Sequence, residues 1–136
     1  MNRVSYPVVP EHHHNPAFSS VAVIPAGVTM VHVGGQNAVD RSGRIVGIGD
    51  LTTQARQVRA NIEAAFATAG CTWRDVVRVT VHLKAGSDTR QAFAAFADAF
   101  IDRAAAPIVG VYQVVALAHP DFLIEVAAEA ALPACS

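Results

Sequence analysis

From Leu51 to Ala69 the chain carries the pattern that most restricts its fold. Leu51, Ala55, Val58, Ile62, Ala65, Phe66 and Ala69 recur at helical spacing. Asp50 stands where an N-cap carboxylate belongs, and Gly70 where a left-handed stop is needed. Arg56, Arg59 and Glu63 fall off the stripe and are expected at solvent. A helix with one apolar stripe must bury it against another element, and the flanking sequence supplies strands for that purpose.

Residues 76–84 alternate cleanly. Val77, Val79, Val81 and Leu83 point to a core, and Arg78, Thr80, His82 and Lys84 point elsewhere. Asp88 starts a second helix, with Gln91 placed as its capping-box partner. Phe93, Phe96, Ala97, Phe100, Ile101 and Ala104 form its stripe, and Pro107 ends it. Upstream, residues 18–24 and 28–33 flank Pro25-Ala26-Gly27 as a hairpin. Gly34-Gly35-Gln36 closes the second run, where paired glycines permit a bulge or a close approach. Asp40-Arg41-Ser42-Gly43 is a turn, followed by a short strand at Ile45-Val46. Residues 107–115 and 122–129, joined through His119-Pro120-Asp121, read as a closing hairpin. Glu125 is its one awkward carboxylate.

The order β-β-(β)-α-β-α-β-β predicts an α+β domain with both helices on one side of a sheet. The other face is mixed: Met30, His32 and Gly34; Arg78, Thr80 and His82; Leu123, Glu125 and Ala127. A partly apolar open face asks for a partner, and another copy of the chain is the simplest.

Only 15% of residues are charged, 52% are hydrophobic and the net charge is −1, which gives nucleic acid no electrostatic footing. Cys71 and Cys135 fit no metal or redox spacing, as expected of a reducing compartment. The N-terminus shows no signal-peptide core, and no apolar run is long enough for a bilayer span, so a cytoplasmic location without membrane contact is expected. Pro7, Pro10 and Pro16 make residues 1–16 an extended lead-in. His12-His13-His14 within it lacks a cysteine or carboxylate at ligand spacing and reads as solvated rather than metal-binding. Residues 17–132 are then one domain and 133–136 a tail.

The ordered series Gly34-Gly35-Gln36, Gly43, Gly47, Gln54-Ala55-Arg56-Gln57, Asn61, Ala69-Gly70, Asp75-Val76-Val77, Thr80-Val81, Pro107, Pro120-Asp121 and Ile124-Glu125-Val126 resembles the RidA/YjgF family. These are the reactive-intermediate (imine/enamine) deaminases, long labelled endoribonuclease L-PSP. The resemblance spans roughly residues 17–132. It implies a chorismate-mutase-like mixed sheet with two long helices on one face, and a homotrimer with small-molecule ligands in clefts between subunits. It also implies hydrolysis of an imine without a cofactor. In that chemistry an arginine grips the substrate carboxylate in a bidentate pair, and a glutamate positions or deprotonates water.

Carried onto this chain residue by residue, the resemblance changes character. The arginine position is Val109 and the cleft cysteine is Val111. The cleft tyrosine is Phe18, the serine before the Gly-Gln pair is Gly34, and an asparagine of the second helix is Phe93. Glu125 persists, while the second, catalytic glutamate position is Ala127; a slip of register in the last strand would place Glu125 there instead. Each change removes a polar group.

What remains for chemistry is Glu125, with Gln113, His32 and His82, all expected on the sheet face away from the helices. An apolar wall of Val109, Val111 and Phe18 is expected beside Glu125, which would orient a water. Gln113 would hydrogen-bond a substrate carbonyl, and His32 would serve as acid or base. The plainer alternative pairs Glu125 with Arg78. Arg103 is a substitute carboxylate anchor if it enters the cleft. Two functions follow. One is a divergent imine or enamine deaminase acting on a substrate neutral or less acidic than a simple 2-imino acid. The other is a non-catalytic ligand-binding or interaction protein on the same scaffold, with Val109, Phe93 and Phe18 filling the pocket.

Overall fold

The computed structural model describes residues 3–133. Met1, Asn2 and residues 134–136, with Cys135 and nearly all of the expected tail, lie outside the described residues. Four strands form one sheet: β1 (Thr29–Gln36), β2 (Val76–Lys84), β3 (Ile108–Val114) and β4 (Ile124–Leu132), in the spatial order β1-β4-β2-β3. The helix α1 (Leu51–Ala69) and a shorter α2 (Thr89–Ala94) accompany them, with 3₁₀ turns at Trp73–Asp75 and Ala97–Phe100.

The sheet is mixed, as the family resemblance implies. β4 runs antiparallel to both β1 and β2, and β3 runs parallel to β2. The expected closing hairpin does not form: its two runs are both strands, but they lie on opposite sides of β2. A parallel partner needs a long crossover rather than a tight turn, and the segment carrying α2 supplies one between β2 and β3. The first expected hairpin is also absent. Residues 18–24 form no strand. Ser19 N–H donates to Pro107 O (3.0 Å), Ser19 Oγ donates to Ala106 O (2.6 Å), and Val23 makes a single bridge with Ser5. Ile45 likewise contributes one bridge, to Val39, rather than a strand.

The helix α1 follows its sequence closely. Asp50 accepts from Thr53 N–H at the N-cap, and Gly70 closes the helix at φ +77°. Leu51, Ala55, Val58, Ile62 and Phe66 are buried, although Ala69 is exposed. Gln54 is fully buried with them. Its carboxamide donates to Gly47 O (3.1 Å) and Asp121 O (2.8 Å) and accepts from Leu123 N–H (2.9 Å), so one side chain fastens the helix to the loops before α1 and β4.

The second helix is cut short. α2 stops at Ala94, and the chain continues through a 3₁₀ turn. Arg59 explains the break: its Nη1 donates to Ala95 O (2.8 Å) and to Asp98, while Ala99 N–H turns back to Phe96 O. Arg59 is thus a bridge between α1 and this turn rather than a solvated side chain. Asp88 caps α2 by accepting from Arg90 N–H, but Gln91 completes no capping box and donates instead to Thr52 Oγ1 (2.7 Å). Trp73 fills the space beneath. It meets Phe66, Phe96 and Phe100 edge-on, with ring centroids 5.0, 5.9 and 5.4 Å away. No helix among the described residues is long and apolar enough to cross a membrane.

Candidate functional site

Strand alternation gives the sheet two different faces. Val79 pairs with Val109, and Val81 with Val111 on one side and Val126 on the other. These valines share the face covered by the helices. Over them opens a cavity of about 1400 Å³. Phe93, Phe96 and Phe100 form one wall. The segment from Tyr6 to Ser20 arches across the opposite side. That strap is anchored at both ends: by the Ser5–Val23 bridge and Tyr6 at its start, and by Ser19 at its finish.

Four of the site residues expected from sequence meet here: Phe18, Phe93, Val109 and Val111. Gln113 points to the same side of β3 as Val109 and Val111, not to the open face. Its Oε1 accepts from Gly86 N–H (3.3 Å) at the sheet end, and it does not line the cavity. His32, Gly34 and Glu125 belong to the opposite face. Glu125 is therefore separated by the sheet from the Val109 and Val111 wall expected beside it, and the expected site is divided between two surfaces.

On the open face the register sets Glu125 opposite His82, and Glu129 between His32 and Arg78. His82 Nδ1 stands 3.9 Å from Glu125 Oε2, and its ring stacks on Tyr112 with centroids 5.5 Å apart. Glu129 lies 3.6 Å from His32 Nδ1 and 3.8 Å from Arg78 Nε. The partner of Arg78 is thus Glu129 rather than Glu125. The paired glycines do both things their sequence allows. Between Val33 and Gln36 the ladder with β4 shifts register, and the Glu125 side chain lies against Gly35. Gly34 faces open space. Ala127, opposite Thr80, leaves the middle of this face without a carboxylate.

Arg103 does line the cavity, but its guanidinium is engaged. Nε donates to Ala105 O (2.9 Å), Nη1 to Trp73 O (2.7 Å) and Arg74 O (3.1 Å), and Nη2 to the Tyr6 hydroxyl (3.0 Å). It latches the strap to the loops around it. Sequence reasoning passed over Arg90, which also lines the cavity. The signal for it was present: Arg90 precedes Phe93 and Ala94 by helical spacing, and all three face the cavity. His12, His13 and His14 contribute to the lining as well, and no aspartate or glutamate does. Among the described residues no three His, Cys, Asp or Glu side chains converge as a metal-binding group. The cavity is thus largely apolar, and the carboxylates of Glu125 and Glu129 stand on the other face of the sheet.

The mixed sheet, the strand order and the helix-side cavity define an α+β domain with one cavity-bearing face. The family model described as endoribonuclease L-PSP matches residues 11–132. The RutC family protein slr0709 of Synechocystis sp. is 38% identical over 100 residues, 73% of this chain and 75% of its own. The Rid family protein YyfB of Yersinia pestis has a similar structure, with a TM-score of 0.80 and 33% identity over 97% of this chain and all (100%) of that one. The YjgF gene product of E. coli superimposes with a TM-score of 0.65 at 29% identity, covering 79% of this chain and 83% of its own. The chain belongs to the RidA/YjgF (endoribonuclease L-PSP) family.

Proposed function

We propose that this protein binds a small, predominantly apolar molecule in the cavity beneath α2, and that this molecule is not a simple 2-imino acid. The observation that carries the reading is the valine floor: Val109 and Val111 occupy the positions where the resemblance puts the carboxylate-gripping arginine and the cleft cysteine, and both line the cavity. An apolar floor of this kind favours ligands by the area it removes from water. In the same reading the open sheet face packs against copies of the chain as a homotrimer, and the cavity sits at a subunit boundary.

The test is thermal stabilisation against a panel of small acids, amides and ketones, run beside a turnover assay with imines generated from serine or threonine. Ligand-dependent shifts with no turnover support binding. Clearance of 2-aminoacrylate-derived imines at the rate of a typical family member would overturn the altered specificity.

A second reading, hydrolysis of an imine, enamine or related C–N bond, is favoured by one observation: Glu125 and His82 stand together, each about one-third exposed, at 32% and 36%. A carboxylate beside an imidazole is able to orient and deprotonate a water. Glu125→Gln should then abolish turnover while leaving ligand-dependent stabilisation intact.

A further inference from the structure

The cavity has an electrostatic character that its apolar floor does not foretell. Its charged and titratable lining consists of Tyr6, three histidines and two arginines, with no acid among them. Arg103 is consumed by backbone carbonyls and by Tyr6. Arg90 is different. Its backbone N–H caps on Asp88, but among the described residues its guanidinium makes no ion pair or hydrogen bond. It is exposed, at the first turn of α2, on the helix face that also carries Phe93 and Ala94 into the cavity. The opposite face of the helix is committed elsewhere, Ala92 being buried and Gln91 bonded to Thr52. A cation without an ion pair among the described residues thus stands at the rim of a valine-floored space whose lining holds no carboxylate.

Resting on the reading of the cavity as a binding site, we propose that its ligand is an amphipathic organic acid, with its hydrocarbon body on Val79, Val81, Val109, Val111 and Val126 and its carboxylate at Arg90. The guanidinium offers two parallel N–H donors to a carboxylate, which an amide cannot match and an ammonium would repel. His12, His13 and His14 on the strap add donors from the facing wall. The anion is thus held at the rim, away from the sheet floor, and the acid must be long enough to reach both.

The test uses three compounds with one body and different heads: 4-phenylbutanoate, 4-phenylbutanamide and 4-phenylbutylamine. Their affinities for the full chain are measured by titration calorimetry. The acid should bind about tenfold more tightly than the amide, and the amine more weakly than both. In Arg90→Gln, whose side chain leaves the core untouched, the acid should fall to the affinity of the amide while the amide is unchanged. If the amide or amine binds wild type as tightly as the acid, or if the acid keeps its advantage in Arg90→Gln, the assignment is overturned and the apolar pocket stands. If none of the three binds and no compound of the wider panel stabilises the protein, the pocket reading falls as well.

Discussion

The carboxylate of Glu125 lies against Gly35 so closely that a β-carbon at that glycine would stand 2.7 Å from its Cδ and 2.7 Å from its Oε1. The absence of a side chain at Gly35 is what lets Glu125 rest beside His82. Gly35→Ala should push the carboxylate aside. The group displaced is the tip of a flexible side chain and Gly35 has no positive φ, so the fold should lose less than about 1 kcal/mol. Gly47→Ala makes the contrast: φ is +78°, and the new β-carbon meets Thr53 Cβ at 2.8 Å and the Gln54 backbone at 3.1 Å. It should cost about 1–3 kcal/mol. Urea unfolding of both variants checks the difference, and equal midpoints would contradict it.

Gln54 is the buried polar residue that joins α1 to two loops. Gln54→Leu keeps the volume but strips partners from Gly47 O, Asp121 O and Leu123 N–H. A loss of about 2–4 kcal/mol is expected, since each orphaned backbone group bears its own desolvation penalty. Equilibrium unfolding gives the value, and a loss below about 1 kcal/mol would show that water replaces the carboxamide.

Acid should weaken the protein partly through Glu63. Burial pushes this carboxyl up, but hydrogen bonds from Arg59 and from the Trp73 indole outweigh it and hold it below its ordinary value of 4.5. A folded pKa below the unfolded one means stabilisation that is present above the unfolded pKa and lost as pH falls through the folded one. Wild type should therefore lose stability more steeply than Glu63→Gln below about pH 4.5. Asp98 is also held low, first by its hydrogen bond from Arg59, so the variant should flatten the acid limb rather than remove it. Urea midpoints measured from pH 6 to pH 3 decide the matter.

The strap over the cavity depends on Arg103. Arg103→Lys keeps the charge but not the fork that reaches three backbone carbonyls and the Tyr6 hydroxyl together. Hydrogen exchange should quicken in residues 7–18 by about tenfold or more, while the amides of α1 and β4 stay protected. Uniform acceleration across the chain would mean that Arg103 holds the whole fold and not the strap.

The elements visible in the sequence are those fixed by local chemistry. Asp50 and Gly70 bracket α1, and the alternation of Val79, Val81 and Leu83 gives β2 its buried side. Pairing was less visible. The two last runs are strands, but nothing local in residues 115–123 says that they flank β2 instead of each other. The break in α2 depends on Arg59, a residue distant in sequence that takes the carbonyl of Ala95. The candidate site was half legible for the same reason. The family resemblance named Phe18, Phe93, Val109 and Val111 together, and all four line the same cavity. Alternation set Glu125 on the open face, where it pairs with His82, but it did not show that Val109 and Val111 face the other side, which depends on the register of β3 against β2.

The central position of β4 has a consequence for vectorial synthesis. β4 is the last strand made, yet it joins β1 to β2: Thr29 pairs with Leu132, and Val76 with Ala130. A nascent chain that has not yet released residues 124–132 holds β1 apart from the β2–β3 pair, with the facing edges of both unpaired. The domain cannot close by stages as it emerges from the ribosome. It must wait for one late insertion, and until then an open slot between two strands is offered to any extended segment nearby, including β4 of another copy.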